Sequence, residues 1–319
     1  MKAKKKIRIL LLMGGPSAEH EVSLAGGKQI LATLDRKKYA VRSLVIPRTG
    51  FGTLNIQKFK NLTDVAFIAM HGEFGEDGRL QALLDVAGIS YVGSGVLASA
   101  LAMDKVRAAH VFRQNGLLVP QQIAFRASEF KNLNISKFKS LGLPVVIKPA
   151  DRGSSVGVTI VSKFKNLKNA VSKAARYSNQ ILAEEFIRGR ELTCGVLDDP
   201  RTRNSLVLPP TEIIPKAGAF YDYQSKYAEG GSEHLIPPPR MAKTMLRQIE
   251  QSAVRAHQIL GCRGMSRSDF ILGENNKLYI LETNTIPGMT RTSLLPQAAL
   301  AAGISFSKLL DLLIRQALR

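Results

Sequence analysis

The chain is short of several things that would each define a class of protein. It has only two cysteines, Cys194 and Cys262, and neither has a second cysteine or a histidine at metal-ligand spacing. A disulfide framework and a thiolate metal site are both excluded, and a reduced, cytoplasmic protein is implied. No apolar run approaches the roughly 20 residues of a membrane span. The basic start, Lys2 to Lys6 with apolar residues 7–13 behind it, has the outline of a signal peptide, but Arg8 interrupts the run and Gly14-Gly15-Pro16 leads into Glu19, His20 and Glu21. A first parallel strand fits better. A Walker A loop is missing too, because Gly27-Lys28 is followed by Gln29 and has no upstream glycine.

Acidic residues are scarce, 25 against 45 lysines and arginines, for a formal net charge of +20. The excess is concentrated: between Lys131 and Arg176 stand ten lysines and arginines and a single acid, Asp151. Nucleic acid is one partner such a segment suits. No aromatic platform is interleaved with it, however, so attraction of phosphate and solubility account for it more simply.

With 319 residues and 45% apolar content, the chain can fill two or three compact cores. The first hundred residues alternate apolar runs (7–13, 41–46, 65–70, 89–92) with helical patterns near 22–34 and 79–86. That is the pattern of a doubly wound α/β unit, whose ligands lie at the carboxyl ends of the strands. Glu19 follows the first strand and His71 ends the third, so both fall on that edge, although a plain structural histidine at a strand end is the alternative for His71. Gly93-Ser94-Gly95-Val96-Leu97-Ala98 imitates a dinucleotide fingerprint but follows the fourth strand rather than the first, and opens a helix towards Asp104 and Lys105.

From about residue 101 the pattern changes. A strand ending in Lys148 runs into Asp151-Arg152-Gly153-Ser154-Ser155-Val156-Gly157 and returns through 158–161. A loop of this kind offers backbone N–H groups and two hydroxyls for covering a triphosphate; an ordinary flexible surface hairpin is the alternative, and Lys148 immediately before the loop favours phosphate. A helix over 166–176 and a strand over 181–187 follow, and Glu191 begins the next strand. Two units meeting at this edge strand make a natural purine slot, with backbone groups to read the adenine and a carboxylate for the ribose hydroxyls. Next come strands near 192–197 and 206–214, a loop over 216–239 holding Tyr221, Tyr223 and Tyr227, and a helix over 241–260. A loop of that length in a compact unit reads as a lid.

The most informative stretch is MSRSDFILGENNKLYILETNTIPGMTRTSLL, residues 265–295. It reads as a β-hairpin turning at Asn275-Asn276. That turn sets Asp269 opposite Glu282 and Arg267 opposite Asn284 on one face, with Phe270 and Leu272 packed against Leu281 and Tyr279 on the other. Opposed carboxylates call for a cation, and with an amide oxygen beside them they suit Mg²⁺ bridging to phosphate. A solvated face where each carboxylate pairs with a lysine is the alternative. Pro287-Gly288 then turns the chain beside these groups.

These motifs together resemble the D-alanine–D-alanine ligases of the ATP-grasp superfamily. GGPSAEHEVSL, MHGEFGEDG, ALAMDK, VIKPADRGSSVG, EEFIRGRELT, FYDYQSKY, RSDF and ETNTIPGMTRTSLLP carry the likeness, in order and over nearly the whole chain. The resemblance implies an α/β chain of ATP-grasp architecture in three units: 1–103, 104–187 and 188–319, the last holding the lid loop 216–239. It implies transfer of the ATP γ-phosphate to one D-alanine and attack on the acyl phosphate by a second, for peptidoglycan precursors. By residue, Lys105, Lys148, Ser155, Glu184, Phe186, Ile187 and Glu191 would hold the nucleotide. Asp269, Glu282 and Asn284 would hold two Mg²⁺ or Mn²⁺ ions. Glu19, with Ser154 and Tyr227, would take the first ammonium, with His71 near that substrate. Ser293, Leu294 and Lys226 would receive the second D-alanine, and Arg267 with the Gly288 N–H would face the developing oxyanion. The Lys226-Tyr227 pair, which ligases making D-alanyl-D-lactate lack, points to a dipeptide product. The family also suggests a homodimer, with no nucleic-acid partner and no membrane insertion. The same fold with another acceptor, or a basic binder without enzymatic activity, are the competing readings.

Overall fold

Residues 5–52, 55–132, 136–202, 204–216 and 231–319 are described by a computed structural model of the chain. Three sheets organise them. The first is wholly parallel: β1 (Ile7–Gly14), β2 (Tyr39–Ile46), β3 (Val65–Ile68) and β4 (Tyr91–Val92), in the order β2-β1-β3-β4. Its central strands are buried on both faces, as their continuous apolar runs require. Helix α1 (His20–Thr33) lies against β1 closely enough that a Cβ on Gly27 would stand 2.8 Å from Met13 Cβ. Only glycine permits that approach. α2 (Arg79–Ala87) follows the third strand.

The fingerprint-like turn at Gly93 has a structural occupant. Arg263 donates from Nε to the Gly93 carbonyl at 3.0 Å, its backbone N–H reaches Ser94 Oγ at 3.1 Å, and its guanidinium lies over the Tyr91 ring. The turn thus docks the last unit onto the first. The helix behind it, α3 (Val96–Met103), stops at Asp104, whose carboxylate accepts the Arg107 N–H and caps a separate helix, α4 (Lys105–Gln114).

The second sheet is antiparallel, in the order β5-β8-β6-β7: β5 (Gln122–Arg126), β6 (Val145–Pro149), β7 (Thr159–Val161) and β8 (Gln180–Glu185). Its core side, with Val145, Ile147, Ile181 and Ala183, packs on Leu167, Val171 and Ala174 of the amphipathic α6 (Leu167–Ala174), while α5 (Ser136–Lys139) adds Phe138. Lys148 and Val146 alternate to the opposite face.

The third sheet holds β9 (Gly189–Asp198) at its centre, with β13 (Met265–Gly273) and then β14 (Leu278–Asn284) on one side. On the other side lie β10 (Ser205–Val207) and β11 (Thr211–Pro215), then β12 (Ser232–Leu235). One continuous strand was expected over 206–214. Two form instead, because Pro209 and Pro210 have no N–H to give the ladder. The expected loop over 216–239 likewise contains a strand, β12, whose residues pair with β11 and whose polar SEHL sequence carries no apolar alternation. Helix α7 (Lys243–Ile259) covers the core face, packing Ile249, Ala253 and Ala256 on Leu192, Cys194, Val196, Phe270 and Ile280.

The β13–β14 hairpin differs from its sequence reading in a consequential way. Gly273 and Lys277 close the turn, with Asn276 at φ +57, so it centres on Asn275 rather than between Asn275 and Asn276. A β-bulge then restores the displaced residue between Asp269 and Phe270. The core partners are therefore Ile280 for Phe270 and Leu278 for Leu272, not Leu281 and Tyr279. The site pairs are nevertheless the expected ones, Asp269 with Glu282 and Arg267 with Asn284. Leu278, Ile280 and Thr283 face the core side, whereas Leu281, Glu282 and Asn284 border cavities. The bulge switches the face that even-numbered positions occupy.

The last two helices, α8 (Leu294–Ala301) and α9 (Phe306–Ala317), return to the first sheet. Leu309, Leu310, Leu313 and Ile314 join Ile9, Phe67 and Val92 in one core that also takes in Met265, Ile286 and Leu295. Tyr39 Oη donates to Asp311 at 2.7 Å. No single described helix is long and apolar enough to cross a membrane. Because Leu310 is fully buried, Leu310→Ala is expected to cost about 2–5 kcal/mol of stability. Urea unfolding followed by far-UV circular dichroism measures it, and an unchanged midpoint would show that this helix does not complete the first sheet.

Candidate active site

Two adjoining cavities form where the three sheets converge, and Glu282 lines both. The larger, about 460 Å³, is walled by the loop before α1, the turn after β3, the glycine/serine loop between β6 and β7, and the segment 284–294. That volume suits a small-molecule site. Of the residues singled out from sequence, Glu19, His71, Ser154, Arg267, Glu282, Asn284, Gly288, Ser293 and Leu294 all border it. The second is a slot between the central and last sheets, bordered by Lys105, Lys148, Ser155, Glu184, Phe186, Ile187, Glu191, Asp269 and Glu282. Its apolar walls are Val146 and Val158 on one side and Ile271 and Leu281 on the other. Tyr227 and Lys226 lie outside the described residues.

The slot's cations are fixed by buried pairs. Lys148 is paired with Glu184, which stands diagonally across β6–β8, opposite Val146. Lys105, 8% exposed, holds Glu282 at 2.9 Å and donates to the Arg152 carbonyl at 2.8 Å. Burial disfavours its ammonium, but Glu282, Glu184 and Glu76 more than offset this, and its pKa lies above the ordinary lysine value. Opposite, Asp269 receives a two-pronged Arg267 guanidinium, Nε to Oδ1 at 2.9 Å and Nη2 to Oδ2 at 2.8 Å. Thr193 Oγ1 adds 2.6 Å and Asn284 Nδ2 adds 3.3 Å. Each carboxylate does meet a cation of the chain, but Asp269 is buried and Glu282 half-buried rather than on a solvated face.

Two carboxylates and one amide oxygen, once the Asn284 amide turns over, are a hard donor set too small to fill an octahedron. This leaves positions for phosphate oxygens, as Mg²⁺ sites at nucleotides require. Among the described residues no three His, Cys, Asp or Glu side chains form a closed metal cage. The residues fit a metal shared with a phosphate ligand.

The glycine/serine loop is closed onto the first unit. Ser154 and Ser155 both take positive φ, +52 and +58, which turns the loop tip inward. Ser154 Oγ donates to Glu19 Oε1, and Arg152 reaches Glu73 at 3.7 Å. His71 Nδ1 donates to the Ile286 carbonyl at 3.0 Å, and its buried Nε2 has no hydrogen-bond partner among the described residues. Burial holds its pKa below the usual imidazole value, Glu19 pulling the other way, so the ring beside the cavity is neutral. Ser293 Oγ accepts the Thr290 N–H at 3.0 Å at the start of α8. That helix also holds the β11–β12 ladder: His234 Nδ1 donates to Gln297 Oε1 at 2.7 Å, and Ile213 packs on Leu294. Arg190, forked onto Glu212, donates to the Pro239 carbonyl at 2.9 Å and fastens the far end of the 216–239 segment.

Sequence reading passed over Glu76 and Thr193. Thr193 shows no signal beyond its strand position. Glu76 stands in the MHGEFGEDG motif, buried among Glu19, Arg267 and Glu282. Burial, with repulsion from Glu19, pushes its carboxyl up to about 8.

Two antiparallel sheets closed on a cation-lined slot beside an α/β unit define an ATP-grasp enzyme. Comparison with known proteins narrows the class. Residues 111–315 match the family described as D-ala D-ala ligase C-terminus, and residues 8–62 and 51–94 its N-terminus counterpart. A D-alanine--D-alanine ligase of Citrifermentans bemidjiense is 44% identical, over 96% of this chain and 94% of that protein. The structure of the VanG D-Ala:D-Ser ligase from Enterococcus faecalis superposes with TM-score 0.84 at 30% identity, over 98% of this chain and 100% of that one. The ATP complex of the Bacillus anthracis D-alanine--D-alanine ligase gives 0.82 at 30% identity, over 98% of both chains. The chain belongs to the D-alanine–D-alanine ligase family.

A carboxyl whose folded pKa is raised binds a proton that the unfolded chain has already released. Its contribution to stability is complete below the unfolded value of 4.5 and is lost as pH rises to about 8. Glu76→Gln is therefore expected to melt higher than the parent at pH 8, with the gap closing towards pH 5. Thermal scans at both pH values check this, and a gap that widened towards pH 5 would reverse the sign.

Proposed function

We propose that this chain joins two molecules of D-alanine into D-alanyl-D-alanine at the expense of ATP, supplying a peptidoglycan precursor. The observation that carries the reading is that one residue, Glu282, borders both the slot and the amino-acid cavity, so a phosphate at the slot's inner end meets a carboxylate in the cavity. Glu19, Ser154 and, on the family resemblance, Tyr227 hold the first ammonium. Lys105 and Lys148 neutralise the phosphates, while Glu184 to Ile187 and Glu191 receive the adenosine. A carboxylate oxygen of the first D-alanine attacks the γ-phosphorus and ADP leaves. The second D-alanine, its carboxylate on Ser293 and Lys226 beside Leu294, loses a proton from its ammonium and attacks the acyl carbon. Arg267 and the Gly288 N–H face the oxygen that becomes negative, where preorganised donors contribute most. Collapse then expels phosphate. Mg²⁺ or Mn²⁺ on Asp269, Glu282 and Asn284, when bound, neutralises charge on the transferring phosphoryl group.

In this reading the 216–239 segment, of which residues 217–230 lie outside the described ones, serves as a lid, and the chain works in the cytoplasm as a homodimer. The reading as a dipeptide ligase rests on the named relatives and on the Lys226-Tyr227 pair. The fold alone also suits a D-serine acceptor, since a D-Ala:D-Ser ligase shares it. ADP release and product identity with D-alanine, D-serine, D-lactate and L-alanine decide between them. D-Alanine is expected to give the dipeptide and L-alanine no turnover. Faster ligation of D-serine would reassign the acceptor, and absence of ADP formation with D-alanine would refute the function.

The metal assignment has its own check. Glu282→Gln is expected to raise the Mg²⁺ needed for half-maximal rate by about 10–100-fold or more, the loss typical of disturbed metal sites. A Mg²⁺ titration matching the parent's at low millimolar concentration would remove Glu282 from the metal site.

A further inference from the structure

The turn after β3 brings a carboxyl to the cavity for which the reaction above has no use. Glu76 is 8% exposed and borders both the large cavity and a small recess beside it walled by Lys105, Gly153, Glu282 and Thr285. It closes the turn that begins at His71. Its backbone N–H donates to the Gly72 carbonyl at 2.9 Å, and its Oε2 accepts the Gly72 N–H at 2.6 Å. Both polar groups of Gly72 are thereby committed to one residue.

Gly72 is itself the wall behind Glu19. Its φ is +72, and a Cβ built there would stand 2.7 Å from Glu19 Oε2 and 3.0 Å from Ser17 Cβ. Ser17 Oγ completes the frame, donating to the His71 carbonyl at 2.6 Å and accepting the Glu19 N–H at 3.1 Å. The Glu19 carboxylate thus rests between Ser154 and the α-carbon of Gly72, and Gly72 is held by Glu76.

We propose that Glu76 is a positioning residue of the first amino-acid subsite: through Gly72 it sets where the Glu19 carboxylate stands. The inference rests on the reading of Glu19 as the ammonium-binding carboxylate. A turn cap with no such role would affect stability alone. The charged groups facing Glu76 come from four directions: Glu19 before α1, Lys105 on α4, Arg267 on β13 and Glu282 on β14.

The test measures initial rates of the full chain against D-alanine concentration, resolving the tighter first-subsite constant from the weaker second one, together with the KM for ATP and the melting temperature. Glu76→Ala is expected to raise the first-subsite constant about tenfold, the scale of one lost hydrogen bond, with the ATP constant within about twofold. Glu76→Gln keeps an acceptor for Gly72 and its fold. It is expected to restore most of that constant. An unchanged first-subsite constant in Glu76→Ala, an equal rise for ATP, or a rise in Glu76→Gln as large as in Glu76→Ala overturns the proposal. Glu19→Gln separates the two levels of the argument. If it alone raises the constant, the ammonium reading stands and the role of Glu76 falls; if it too leaves the constant unchanged, the ammonium reading fails and takes this proposal with it.

Discussion

The site depends on two carboxylates being forced to face each other. Asp269 and Glu282 stand directly opposite across β13 and β14, an arrangement that destabilises a strand pair unless cations intervene. The chain supplies those cations from different places: Arg267 comes from the hairpin itself, while Lys105 arrives from the first turn of α4. A repulsion inside one hairpin is thereby converted into an attraction between units. The same electrostatics lets Asp269 be buried and Glu282 half-buried while both residues border a cavity.

Around that hairpin, three loops from three sheets converge, and each is held by a short polar chain rather than by apolar packing. Ser154 binds Glu19, Lys105 holds the Arg152 carbonyl, and His71 is fixed on the Ile286 carbonyl. The apolar cores lie behind these contacts and keep the sheets rigid. The apolar core of the central unit is accordingly separate from the other two. The dense positive charge of that unit suits the attraction of phosphate. Lys163, Lys165, Lys168, Lys173 and Arg176 are exposed, and long-range attraction of a polyanion to the slot needs no specific contact.

Much of this was legible in the sequence because the signals are local. Buried parallel strands show as continuous apolar runs, and the glycine/serine loop, the lysine before it and the paired carboxylates all fall within short stretches. What stayed hidden depends on partners far along the chain or on small irregularities. The hairpin turn was placed between Asn275 and Asn276, half a residue from its true centre, and the site register came out right only because an unforeseen bulge makes up the difference. The error appears on the core face, where Ile280 and Leu278 replace the expected Leu281 and Tyr279. β12 escaped notice because its stability comes from pairing with β11 and from His234 reaching Gln297, sixty-three positions away, and not from its own composition. Glu76 was in plain view in its motif. Its importance comes from burial beside Glu19, which no spacing rule reveals.

The return of α9 to the first sheet has a consequence for how the molecule is made. A chain emerging vectorially from the ribosome can finish the central sheet early, since β5 to β8 are sequence neighbours and close on themselves. The first sheet cannot follow the same schedule. Its strands precede those of the central sheet, yet the side chains of Leu309, Leu310, Leu313 and Ile314 that seal its core follow both antiparallel sheets in the chain. The first strands must therefore wait, with Ile9, Phe67 and Val92 incompletely covered, until α9 has been made. Birth order and completion order run in opposite directions, and a chain interrupted before α9 would be one whose first sheet fails.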